Sequence, residues 1–151
     1  MGWNSGDTEM AQRSLVVDAS VAVKWYSAFG EPGISEAVDI MERHVKGELD
    51  LVVPDLLFYE VANALVHKKP LSEEKVKMAI SSLFALHMHI APVHTDLMTL
   101  SIKLARHGNI TVYDACYAAV AQKFDLPLVT ANPRHQGKSL GCKVILIEEW
   151  R

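Results

Sequence analysis

The stretch LVVDASVAVKW, Leu15 to Trp25, runs three apolar residues straight into an aspartate and then into a second apolar run. Leu15, Val16 and Val17 read as a short buried strand. Ser20 reads as the cap of a short helix that continues through Val21 to Tyr26. A charged group between two apolar elements is costly unless something pairs with it. The fold turns on what that partner is and on what surrounds Asp18.

Beyond this stretch, strand and helix patterns alternate. Ser35 to Val45 has helical spacing, with Ala37, Val38, Met41 and Val45 on one face and Gly47 ending it. Leu49 to Val53 reads as a strand. Pro54-Asp55 opens a helix to about Lys69, which Pro70 stops. Ser72 begins a helix to Leu86, and His89 to Val93 reads as extended. Thr95 caps a helix to His107, closed by Gly108-Asn109, and Thr111 caps the next, through Phe124. Pro127 to Thr130 and Lys143 to Ile147 read as strands. This alternation predicts an α/β class with a mostly parallel sheet. In such sheets ligands sit outside the carboxyl ends of the strands, where Asp18 stands.

The bulk properties are compatible with one domain. The chain has 151 residues, half of them apolar, and a net charge of −3. That is enough apolar material for one core, and the surface is not broadly basic. Cys116 and Cys142 have neither disulfide-framework nor zinc-finger spacing, and read as reduced thiols of a cytoplasmic protein. No apolar run approaches the roughly eighteen residues of a membrane span. Residues 1–13 are polar, lack a signal-peptide core and are expected to form a flexible segment ahead of a single domain, residues 14–151.

Four polar residues do not fit their surroundings. Asp18 follows a strand, where an aspartate is often only a cap. Glu60 lies in LLFYEVANALVHKK, where Glu60, Asn63 and His67 make one polar stripe beside Leu57, Val61, Ala64 and Leu65. A solvated helix face is the plain alternative. Asp114 takes the third helical position after Thr111, where an acid suits the helix dipole, yet Ala115, Ala118, Ala119 and Ala121 mark a closely packed helix. Asn132 follows the Leu128–Thr130 strand and is otherwise a turn residue before Pro133. Three clustered carboxylates repel, and burial raises their pKa values unless a cation intervenes. Oxygen-only ligands suit a hard divalent ion, Mg2+ or Mn2+, which can bind phosphate and activate water.

In order, VVDASVAVKW, PDLLFYEVANAL, TVYDACYAAVA and LPLVTANP closely resemble the PIN domain, and in particular the VapC-type toxins of prokaryotic toxin–antitoxin pairs. The likeness spans nearly the whole chain from Leu15. It implies a three-layer α/β/α sandwich with a central parallel sheet. It implies a Mg2+- or Mn2+-dependent endoribonuclease, a small antitoxin partner that covers the site, and commonly a homodimer. Asp18, Glu60 and Asp114 match the family's first three acids, with Ser20 and Thr130 in the positions of its supporting hydroxyls. Asn132 stands where the fourth acid is expected, so an amide replaces a carboxylate as a catalytic and metal-facing group. His135 lies where an aromatic often follows that motif.

Other signals have plainer readings. His87, His89 and His94 lack a further ligand at a recognised zinc spacing. His67-Lys68-Lys69 and Arg134-His135 with Lys138 are small basic clusters that suit either RNA phosphates or ordinary helix ends. Lys24 is placed to reach a phosphate or to cover surface. Trp25, Tyr26 and Phe29 suit core packing or a groove for an antitoxin helix. Two other functions stay open: a housekeeping PIN ribonuclease without an antitoxin, and a catalytically weak PIN fold that binds RNA or protein. A haloacid-dehalogenase-type phosphatase needs a second acid two residues after the first, where this chain has Ser20.

Overall fold

A computed structural model describes residues 13–26, 30–68, 71–135, 138 and 140–151. Of the segment expected to be flexible, all but Arg13 lies outside the described residues, as do Phe29, Lys69 and Pro70. The chain alternates β1 (Ser14–Val17), α1 (Ala19–Ala22, continued by a 3-10 turn Val23–Tyr26), α2 (Ile34–Val45), β2 (Asp50–Pro54), α3 (Leu56–Lys68), α4 (Glu73–Ala85), β3 (His89–Ala91), α5 (Thr95–Gly108), α6 (Val112–Phe124), β4 (Leu128–Thr130) and β5 (Val144–Leu146). The five strands form one sheet in the order β3-β2-β1-β4-β5, and every pairing is parallel. Helices cover it, giving a three-layer α/β/α sandwich.

This order has one switch point. The chain steps outward from β1 to β2 to β3, then returns to place β4 on the other side of β1. A crevice opens at such a reversal, beyond the strands' carboxyl ends. β1 and β4 end there in Asp18 and Asn132.

The strands are short because they are wholly buried. Val16 and Val17 of β1, Leu51 and Val53 of β2, and Val129 of β4 have no exposed surface. Helix α6 packs against β1, β2 and β4 on one side and α5 on the other. Ala115 to Ala121 are all buried, and alanines at four of those seven positions let two layers approach closely. Tyr117 is the largest fully buried side chain.

Three local expectations need correction. Asp18, not Ser20, caps α1: its carboxylate accepts from the Ser20 N–H, because the shorter turn starts the helix at Ala19. His94, not Thr95, caps α5, through an Nδ1 that accepts from the Leu97 N–H. Thr111 caps α6 as expected, accepting from the Asp114 N–H.

The buried face of α2 is also rotated. Ala37 and Ile40 are buried, whereas Val45 is 68% exposed. Half-buried His44 completes that stripe in place of Val45. Its Nδ1 accepts from the Leu51 N–H at 3.2 Å, which leaves Nε2 to donate to the Leu86 carbonyl at 2.6 Å. A polar residue thus joins α2 to β2 and to the end of α4. Trp150 closes the other side, donating from Nε1 to Asp39 Oδ2 at 3.1 Å, with Arg43 also on Asp39 at 3.0 Å. Among the described residues no helix is long and apolar enough to cross a membrane.

His44→Leu strands two backbone groups, so it should lower unfolding free energy by about 1–3 kcal/mol. Val45→Ala should stay within about 0.5 kcal/mol. Urea denaturation of both variants checks the pair.

Candidate active site

A cavity of about 920 Å³ opens at the switch point, lined among others by Asp18, Glu60, Asp114, Asn132 and His135. The sheet supplies Asp18 and Asn132 from the ends of β1 and β4. Helices α3 and α6 bring Glu60 and Asp114 over them. All four residues expected at the site thus share one cavity.

Asp18 is the most enclosed, at 6% exposure. Its Oδ1 accepts from both the N–H and the hydroxyl of Ser20, and its Oδ2 accepts from the Thr130 hydroxyl at 2.5 Å. The hydroxyls are fixed in turn. Ser20 Oγ accepts from the Ala131 N–H at 2.9 Å, and Thr130 Oγ1 from the Asn132 N–H at 3.1 Å. The β4 backbone therefore orients two hydroxyls, and they orient the carboxylate. Burial still pushes the Asp18 carboxyl above the ordinary range, against those donors and nearby His135.

Glu60 is half-buried, and its Oε1 accepts from the Tyr117 hydroxyl at 2.6 Å. Burial raises its pKa, the Tyr117 bond offsets part of that, and the charges of Asp114 and Asp18 raise it further. Burial and Glu60 together push the Tyr117 phenol well above its ordinary range, so it stays a donor. On the same face of α3, Asn63 lines the cavity; His67 is exposed and does not.

Asp114 behaves oppositely. The bond to His135 holds its carboxyl below the ordinary range, against a smaller effect of burial. His135 is 4% exposed, with Nε2 at 3.3 Å from Asp114 Oδ2 and Nδ1 at 3.8 Å from Asp18 Oδ2. The Asp114 bond raises the imidazole's pKa, while burial and Lys138 act against it. His135 is thus an internal counter-charge between two acids, not the surface cation its neighbours Arg134 and Lys138 suggest. The signal was the Asn132-Pro133 pair: the turn it starts closes with the His135 N–H on the Asn132 carbonyl at 3.1 Å and carries the third residue inward.

Asn132 also does what a turn asparagine does, its Oδ1 accepting from the Arg134 N–H at 3.0 Å. Lys24 lines the cavity, but its Nζ donates to the Pro32 carbonyl at 2.8 Å and lies 3.8 Å from Glu31. Trp25 donates to the Ala37 carbonyl and packs on the core, as does Tyr26. Among the described residues no three His, Cys, Asp or Glu side chains already close around a single point.

The sequence pattern of the PIN domain matches residues 15–138, the span that holds every group named at the cavity. The chain belongs to the PIN domain family. Among its PIN relatives, Ribonuclease VapC3 of Pyrobaculum aerophilum is 36% identical over 126 residues, covering 78% of this chain and 88% of that protein. Ribonuclease VapC1 of Mycobacterium tuberculosis is 33% identical over 136 residues, covering 87% and 96%. A chain in a toxin–antitoxin complex from Klebsiella pneumoniae shares the PIN fold with a TM-score of 0.60 at 20% identity, over 89% of this chain and 98% of that one.

The His135–Asp114 pair has a defined pH window. A raised histidine pKa contributes stability that is complete below about 6.5, the unfolded value, and is lost as pH rises through the folded value. The lowered Asp114 value contributes above about 3.8 and is lost as pH falls through its folded value. In chelator-treated protein, the melting-temperature gap between wild type and His135→Gln should be widest in mild acid. It should narrow as pH rises through the folded histidine value, and melts from pH 5 to 9 would show this.

Proposed function

We propose that this chain is a divalent-metal-dependent endoribonuclease that hydrolyses RNA phosphodiester bonds, and the toxin of a toxin–antitoxin pair. The observation that carries this is the convergence of Asp18, Glu60 and Asp114 on one cavity at the β1/β4 switch point. The names of the two VapC ribonucleases support the activity. The Klebsiella complex supports a small antitoxin as partner. A cytoplasmic homodimer that acts on RNA belongs to the same reading.

The residues suit a Mg2+ or Mn2+ ion. Every carboxylate and amide donor is an oxygen, and the raised pKa values of Asp18 and Glu60 are the mark of crowded acids that a cation relieves. Asp18 and Asp114 would hold it, with Glu60 meeting it through water. When bound, such an ion polarises the scissile phosphate and lowers the pKa of a coordinated water. The chain's own groups prepare this. Ser20 and Thr130 fix both oxygens of Asp18, Tyr117 fixes Glu60, and Glu60 is placed to orient an attacking water. His135 offsets charge at Asp114. The expected products carry a 5′-phosphate and a 3′-hydroxyl.

Asn132 favours a second reading, a weakly catalytic site that binds RNA. Its amide brings no charge, and its oxygen already serves the turn. The site therefore carries three formal negative charges, which suits one tightly held ion better than two.

Mixed structured and unstructured RNAs incubated with Mg2+, Mn2+ or chelator test both readings. Metal-dependent cutting that falls at least about 100-fold in Asp114→Asn is expected. Folded protein that binds these RNAs but cuts none with either metal would favour the second reading.

A further inference from the structure

Two tyrosines stand at the rim of the acid cavity with their rings in water. Tyr59 is 76% exposed and Tyr113 63%, and both line the cavity. Single exposed apolar residues are ordinary. These two share a feature that chance does not supply. Each comes immediately before a site acid, Tyr59 before Glu60 on α3 and Tyr113 before Asp114 on α6. A helix turns about 100° per residue, so each ring flanks its carboxylate on the outer side.

The charges of the cavity sharpen the question of what these rings meet. Among the described residues lining it, Lys24 is the only lysine or arginine. Its ammonium is 14% exposed and held by the Pro32 carbonyl and Glu31. Asp18, Glu31, Glu60 and Asp114 line the same space. A polyanion therefore finds no clamp of cations there, and affinity for it has to come from uncharged contacts. Aromatic faces supply that: a base stacked on a side-chain ring is held whatever its sequence. Asn63, exposed on the same wall, adds an amide for base edges.

We propose that Tyr59 and Tyr113 are the stacking platforms of the site, taking one unpaired base on either side of the scissile phosphate, so that the substrate is single-stranded RNA. This rests on the ribonuclease reading above. Paired bases in a duplex have no free face to offer, so discrimination against duplex follows from the rings themselves. Because few cations take part, binding depends only weakly on salt.

The test is fluorescence anisotropy of a labelled 12-nucleotide single-stranded RNA, with its perfect duplex as comparison and calcium in place of magnesium. The proteins are wild type, Tyr59→Ala, Tyr113→Ala, the double variant, and Tyr59→Phe and Tyr113→Phe. Both rings are exposed, so the variants should fold, and circular dichroism checks that. Each alanine should raise Kd about 10-fold, phenylalanine should restore wild-type affinity, and duplex should bind worst. The slope of log K against log salt should be about −1 or shallower. Single-strand affinity unchanged in the double variant would overturn the proposal and leave the rings to a protein partner. A steep salt slope with equal losses for alanine and phenylalanine would also overturn it. Cutting in magnesium is scored separately. Wild type that cuts while the double variant keeps its affinity removes the platforms alone. Stacking-dependent binding without cutting removes hydrolysis and keeps the platforms.

Discussion

The hydrogen bond from the Thr130 hydroxyl to Asp18 is the constraint on which the rest of the site depends. It joins the ends of the two strands that flank the switch point. Asp18 is almost wholly enclosed, and a carboxylate so placed is tolerable only when its oxygens are satisfied. Ser20 and Thr130 satisfy them, and the β4 backbone holds both hydroxyls. Strand pairing, the start of α1 and the aim of the carboxylate are therefore one structure. A shift in the β1–β4 register would unmake all three.

The site also differs from a simple cluster of acids. The two enclosed or crowded carboxyls, Asp18 and Glu60, are pushed up, while Asp114 is pulled down by His135. The chain has moved charge around the cavity. It lacks a carboxylate at Asn132 and gains an imidazole three residues on, in the same turn. Both changes make the cavity less negative, and both come from the short segment after β4.

Much of this was legible in the sequence. The apolar runs fixed the class because fully buried strands have no polar alternation to blur them. The four motifs gave the site because each acid stands at a strand end or within a close-packed helix. Other features were not legible for physical reasons. The face of α2 was misread because His44, polar by type, fills a buried place by meeting two backbone groups. The caps at Asp18 and His94 were misplaced by one or two residues, the usual uncertainty where neighbouring polar side chains compete for the same N–H groups. His135 was hidden because a basic residue beside Arg134 reads as surface, and only the turn shows that it points inward.

The Asn132-Pro133 pair has a chemical consequence of its own. Asparagine amides age into carboxylates when the next residue's backbone nitrogen attacks the side chain and closes a five-membered ring. Proline has no N–H to supply that nucleophile. The amide at the mouth of this cavity is therefore shielded from conversion to aspartate by the residue that follows it. The charge of the site at that position is set at synthesis and does not drift with the age of the molecule.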